Sequence, residues 1–197
     1  MPTHSVRFFD TQFQRQVSAG EYVLNPFERL ALPHLSGEVL DLGCGLGNLA
    51  LEAARAGCRV TALDGSPIGI ARIRETALAE NLPLEAHEAD LSSWTIDRDY
   101  DCIVAIGLLM FFPRSRAEAL LADILARVKP GGVVVLNTLV QGTTFLGMFE
   151  ADHHHLFPVG ALGAAVAGWT VRAESFDSFP APGDTLKVFD TLIARKP

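Results

Sequence analysis

Glycine stands at three alternate positions, Gly43, Gly45 and Gly47, directly behind an acidic residue, Asp41, and a β-prone run, Val39-Leu40. The backbone, not the side chains, does the chemistry in such a stretch. Glycine adopts positive φ and lets a ligand come where a Cβ would collide, so the turn is suited to holding a small molecule. Two more carboxylates recur in comparable places: Asp64 follows the next β-prone run, 64 − 41 = 23 residues after Asp41, and Asp90 follows a third. Ligands of open α/β sheets sit beyond the carboxyl ends of the strands. Asp41, the glycine turn, Asp64, Asp90 and Gly107 are therefore expected around one crevice. A ligand that tolerates three carboxylates is neutral or cationic and bears hydroxyls, and Asp64 is placed to accept from two ribose hydroxyls at once.

The elements that must position these residues can be read from the chain. Residues 1–24, with Phe8, Phe9 and Phe13, form a short helix or ordered arm whose aromatics need cover. Asn25-Pro26-Phe27-Glu28 opens a helix, with a capping Asn, Pro in the first turn and Glu at the third position. Strands are expected over 38–42, 59–63, 84–88, 101–106 and 133–140, with helices over 46–56, 67–80 and 113–128 between them. Ser66-Pro67 supplies the start of the second of these helices. Ala117, Leu120, Leu121, Ile124, Leu125 and Val128 draw one apolar stripe on the third. A short helix from Pro158 to about Ala167 and strands over 169–176 and 186–194 close the chain. Repeated β-α alternation followed by a strand pair predicts an α/β fold: a doubly wound, mostly parallel seven-stranded sheet with its last strand antiparallel. Residues 1–35 are expected as a helical arm capping the same domain as residues 36–197, and residues 141–157 as an irregular, lid-like segment.

Composition narrows the partners. With 197 residues, one domain is expected. Apolar residues make up 49% of the chain, yet no run approaches the ~20 residues of a membrane span. The opening Met-Pro-Thr-His-Ser-Val-Arg has no apolar stretch of the secretory kind, and the three cysteines show no metal or disulfide spacing. A cytoplasmic protein is expected, without a membrane partner and without metal. A net charge of −7 opposes a nucleic-acid partner, because such affinity rests on Lys and Arg contacts to phosphate.

Two other cofactor motifs compete for the turn. The dinucleotide fingerprint G-x-G-x-x-G needs glycine at position 48, where this chain has Asn48. A G-x-x-x-x-G-K-[ST] phosphate loop is absent. The run Val-Leu-Asp-Leu-Gly-Cys-Gly-Leu-Gly-Asn, the acidic residue after the next strand, Ala-Asp-Leu at 89–91 and Lys-Pro-Gly-Gly at 129–132 resemble the class I S-adenosylmethionine-dependent methyltransferases. The resemblance implies a Rossmann-like domain, S-adenosylmethionine as cofactor and S-adenosylhomocysteine as product. It also implies that Asp41, Gly43, Cys44, Gly45, Gly47 and Asn48 hold the methionine part. Asp64, Gly65 and Ser66 would then hold the ribose side, Asp90 and Leu91 the adenine, and Ile106 and Gly107 would lie by the methyl group. Gly-Leu-Leu-Met-Phe-Phe at 107–112 and the ending Leu-Ile-Ala-Arg-Lys are similar to the small tellurite-resistance methyltransferases. That similarity implies a small acceptor such as a chalcogen oxyanion or a thiol.

Methyl transfer is an in-line displacement in which the cofactor carries the hard chemistry and the protein positions the partners. A thiolate or oxyanion acceptor needs no base; a hydroxyl or amine would be helped by one. Within the run His153-His154-His155 each histidine is a candidate base, His154 and His155 foremost, and three consecutive histidines do not share the single face that a metal site requires. Tyr22, Asn25, Phe145 and Met148 are candidates for the acceptor mouth. A protein that binds the cofactor without turnover, or a nucleotide-cofactor oxidoreductase, are the alternative readings, and either a monomer or a homodimer is compatible with the sequence.

Overall fold

A computed structural model of the chain describes residues 4–150 and 153–197. Seven strands form one sheet: β1 (Glu38–Leu42), β2 (Arg59–Asp64), β3 (Leu84–Glu88), β4 (Tyr100–Ile106), β5 (Val128–Leu139), β6 (Thr170–Ala181) and β7 (Thr185–Arg195). Their order is β3-β2-β1-β4-β5-β7-β6. β7 runs antiparallel to both neighbours, and the other pairings are parallel. The helices are α1 (His4–Ala19), α2 (Pro26–Ala31), α3 (Asn48–Arg55), α4 (Pro67–Ala79), α5 (Arg114–Arg127) and α6 (Ala161–Ala165).

Side chains alternate across a strand, and here the alternation divides the core in two. Leu40, Leu42, Ile103, Ala105 and Leu136 pack with Leu120 and Ile124 of α5. Val39, Cys102, Val104 and Val135 pack on the other face with Ala50, Leu51, Ile70 and Ile73 of α3 and α4. Central strands buried on both faces explain why 101–106 and 133–136 read as near-continuous apolar runs. The sheet grows from β1 outward to β2 and β3, then resumes on the other side with β4. Strand order therefore reverses between β1 and β4, and their carboxyl ends open a crevice.

Several boundaries differ from the sequence expectation for local reasons. α3 begins at Asn48, two residues later than expected, because Gly47 sits at φ 72° and cannot belong to the helix. Pro113 is extended at ψ 151° and caps α5 instead of opening it. Lys129 to Gly132 lies within β5, where the Gly131 N–H donates to the Lys196 carbonyl and the Lys196 N–H to the Gly132 carbonyl. That docking on the end of the chain extends the strand back to Val128, across a register shift between Tyr100 and Cys102. β6 and β7 pair as far as Ala181 and Thr185, so only 182–184 turn. α6 begins after Gly160, which is at φ 80°.

The glycine turn is pressed from below by α4. A Cβ on Gly47 would collide with Ile73, and a Cβ on Gly69 would collide with the Gly45 carbonyl. Gly47→Ala therefore forces both a left-handed backbone and an overpacked contact, and is expected to lower stability by roughly 2–4 kcal/mol. Urea unfolding checks this.

Candidate functional site

The turn after β1 is tied down before any ligand arrives. Gly43 and Cys44 donate their N–H groups to the Leu63 carbonyl at 2.8 and 3.1 Å, and Gly47 donates to Cys44 at 2.8 Å. Asp64, at the end of β2, receives the Gly45 N–H on one oxygen and the Ser66 N–H on the other, each at 2.8 Å. The Ser66 hydroxyl in turn accepts from Gly69 and caps α4. Arg72 of α4 donates to the Leu46 carbonyl.

Further along the sheet, Asp90 accepts the Ser92 N–H at 2.9 Å, and these Ser92 hydrogen bonds hold its carboxyl below the usual carboxylate range. The neighbouring loop is fixed by Arg116 of α5, which reaches the Leu91 carbonyl at 2.6 Å and the Trp94 carbonyl at 2.6 Å. Gly107 follows β4 at φ 67° and donates to the Asn137 carbonyl at 2.8 Å.

These loops share one cavity of about 1370 Å³. Asp41, Gly43, Cys44, Gly45, Asn48, Asp64, Gly65, Ser66, Asp90, Leu91, Ile106 and Gly107 line it, as do Asn25, Phe145 and Met148. Asn25 is also the cap of α2, paired with Glu28 in a reciprocal box. Four expected site residues are not in the wall. Gly47, at φ 72°, lies against Ile73, which leaves no room for a Cβ there. Tyr22 lies under the Arg72 guanidinium, 3.7 Å from its ring centre, on the outer surface. His154 stacks on Phe149 with ring centres 4.7 Å apart, and His155 points its ring at Phe157, 4.6 Å away. Burial lowers the His155 pKa. The expectation that His154 and His155 serve the site is corrected by these partners: the aromatic rings of the core take both imidazoles, and His153 is the histidine of the run that reaches the cavity.

Other wall residues were not singled out in the sequence. α1 roofs the cavity with Phe9, Asp10 and Phe13. The Phe13 ring lies 3.0 Å from where a Gly45 Cβ would be, and Ser66 donates its hydroxyl to Asp10. The Phe8, Phe9 and Phe13 cluster was the available signal. Asn137 also lines the cavity, although it is 1% exposed, and its Oδ1 has no hydrogen-bond partner among the described residues. An asparagine inside the run Val133–Leu139 was visible in the sequence as a break in an apolar strand. Asn48 likewise keeps a buried Oδ1 without a partner.

Asp41 is 5% exposed, and its carboxyl is pushed up to about 8, first by burial and then by the charges of Glu28 and Asp64. Burial also raises Asp64 against its backbone donors, and Asp10 adds to the rise. The Cys44 thiol is pushed up by burial and by the Asp41 and Asp64 charges, which leaves it a packing residue and not a nucleophile. Among the described residues no group of three His, Cys, Asp or Glu is placed to hold a metal ion.

Residues 39–132 match the family model described as a methyltransferase domain. The chain is 39% identical over 95 residues to Hemagglutinin 1 of Eikenella corrodens, covering 48% of this chain and 32% of that protein. It is 30% identical over 160 residues to carboxy-S-adenosyl-L-methionine synthase of Alteromonas mediterranea, covering 77% of this chain and 66% of that protein. The chain thus spans between a third and two thirds of the length of these relatives. TehB from Haemophilus influenzae has the same fold, with a TM-score of 0.78, 22% identity, and coverage of 92% of this chain and 65% of that one.

A carboxyl whose folded pKa is above its unfolded value destabilises the fold when ionised. The native state then binds more protons than the unfolded one, so stability falls as pH rises from the ordinary carboxyl value of 3.8 toward about 8. Asp41→Asn is expected to match the ligand-free wild type near pH 4 and to exceed it increasingly up to pH 8. Thermal melts across that range test the sign; a variant less stable at pH 8 would refute it.

Proposed function

We propose that this chain, whose residues 39–132 match a methyltransferase domain, is a class I S-adenosylmethionine-dependent methyltransferase that moves the methyl group to a small-molecule acceptor held beside the cofactor. The observation that carries this reading is the size of the cavity. At about 1370 Å³ it exceeds the ~300–1,000 Å³ of a pocket for one small ligand, which favours an enzyme with two occupants over a protein that only binds the cofactor.

The cofactor takes the carboxyl ends of β1, β2 and β4. The glycine turn and the Asn48 amide receive the methionine part. Asp64 spends one lone-pair direction of each oxygen on a backbone N–H, and a carboxylate has about four such directions, so both ribose hydroxyls find an acceptor. Gly65 and Ser66 flank it. The loop held by Arg116 places Asp90 and Leu91 at the adenine, and Ile106 and Gly107 border the methyl group. When bound, the cofactor supplies an electrophilic methyl on a sulfonium; the chain's residues align the partners and exclude water.

Residues 141–150 and 153–157 and the helical arm of residues 4–35 close the acceptor half, with Asn25, Phe145, Met148 and His153 in its wall. A small thiol arrives as its thiolate and a chalcogen oxyanion already charged, so neither requires a base from His154 or His155. The three free, buried cysteines suit a reducing, cytoplasmic setting. The acidic net charge supports a small molecule over a nucleic acid, and we infer a monomer or a homodimer.

Titration calorimetry with S-adenosylmethionine, S-adenosylhomocysteine and reduced nicotinamide dinucleotide tests the reading. Micromolar affinity for the first two alone is expected; affinity for the third alone would make the turn a variant dinucleotide site. Asp64→Ala should weaken S-adenosylmethionine by about 1.5–3 kcal/mol per hydrogen bond lost, and an unchanged affinity would remove Asp64 from the ribose.

A further inference from the structure

The acceptor half of the cavity carries its own chemical signature. Its body is apolar, built by Phe9, Met110, Phe111, Phe145, Met148 and Phe189. The charged groups of the cavity as a whole are mostly acidic: Asp41, Asp64 and Asp90, assigned above to the cofactor, and with them Asp10, Glu28, Glu88 and Glu150. Against these stands Lys187, whose ammonium already lies over the Phe145 ring at 4.7 Å. An oxyanion entering here would meet like charge and one engaged cation, whereas a cation or a neutral donor would meet acceptors.

Asn137 adds a specific acceptor. Its Nδ2 donates to Thr191 Oγ1 at 2.8 Å, across the β5–β7 pair, which fixes the amide of this cavity-lining residue and leaves Oδ1 buried without a donor among the described residues. The Asn137 backbone carbonyl meanwhile holds Gly107, the residue that borders the methyl group in the methyl-transfer reading. A buried acceptor left unmade is costly, and a ligand N–H satisfies it.

Resting on that methyl-transfer reading, we propose that the methyl acceptor is an amine on an apolar or aromatic frame, and that Asn137 Oδ1 receives its N–H and sets specificity. The free amine attacks in line: its lone pair forms the N–CH₃ bond, the S–CH₃ bond breaks, and that electron pair stays on sulfur. S-adenosylhomocysteine and a methylated ammonium result, so atoms and charge balance without a base in the displacement. The carboxylate wall accommodates the cationic product. Burial lifts Glu28, against the Asn25 N–H it accepts, as it lifts Asp41, so a bound cation eases the charging of both carboxyls.

The test uses the full chain saturated with S-adenosylhomocysteine and compares three aromatic probes of similar size, 2-phenylethylamine, 3-phenylpropionate and 4-ethylphenol, with tellurite, by calorimetry. The amine is expected to bind at least tenfold tighter than each of the others, and Asn137→Ala to reduce amine affinity about tenfold while S-adenosylhomocysteine affinity holds. Equal or tighter binding of the carboxylate, the phenol or tellurite, or no amine binding, overturns the acceptor class. Failure of the wild type to bind S-adenosylhomocysteine would instead remove the methyl-transfer reading beneath it. If Asn137→Ala loses S-adenosylhomocysteine as well, the residue is structural and its specificity role falls; the wild-type comparison still decides the acceptor class.

Discussion

The two hydrogen bonds that Asp64 accepts from Gly45 and Ser66 are the joint on which the site depends. A turn with Gly43, Gly45 and Gly47 all at positive φ loses more conformational entropy on folding than any other stretch of comparable length, so it needs an external clasp. Asp64 provides it from the neighbouring strand, and the same carboxylate fixes the residue that caps α4. α4 then bears on the turn through Ile73, Gly69 and Arg72. The strand end, the turn and the next helix start thus form one unit, and its buried anion is kept ionisable by backbone donors that partly offset desolvation.

The first half of the site was legible because its signals are local. Alternate glycines, an acidic residue at each strand end and a Ser-Pro helix start state their geometry within ten residues, and the cavity collects them all except Gly47. Gly47 misled because spacing reports a glycine requirement without its cause: ligand approach and a close helix produce the same residue. The acceptor half depended on packing between distant segments. His154 and His155 are chemically apt, but Phe149 and Phe157 decide where they point, and no periodicity in residues 141–157 encodes that choice. Residues 129–132 fell outside the expected strand over 133–140 for the same reason, since their partner is Lys196.

α1 shows how an element of weak sequence signal becomes part of the site. Its aromatics cover one another and the site: Phe9 meets Phe8, Phe13 and Phe111 at 5.4, 5.8 and 5.4 Å, and Phe13 lies on the bare backbone of Gly45. Glycine at 45 therefore serves two surfaces, the cavity and the roof. A ligand in the cavity touches the turn and α1 together, so its affinity and the docking of α1 are thermodynamically linked.

The same wall sets a tension between stability and binding. Asp41, Glu28 and Asp64 are close enough to raise Asp41's pKa, and among the described residues no Lys or Arg ion pair neutralises Asp41 or Asp64. Ion pairs concentrate instead at the opposite end of the strands, where Glu38 and Asp101 meet Lys129 and Arg98 meets Glu38. A core optimised for stability alone would have paired or removed the buried carboxylates. Their retention at the carboxyl ends, beside the Oδ1 atoms of Asn48 and Asn137 that have no partner among the described residues, leaves the site rich in unsatisfied acceptors. A cationic, donor-rich ligand is the chemical complement of those acceptors.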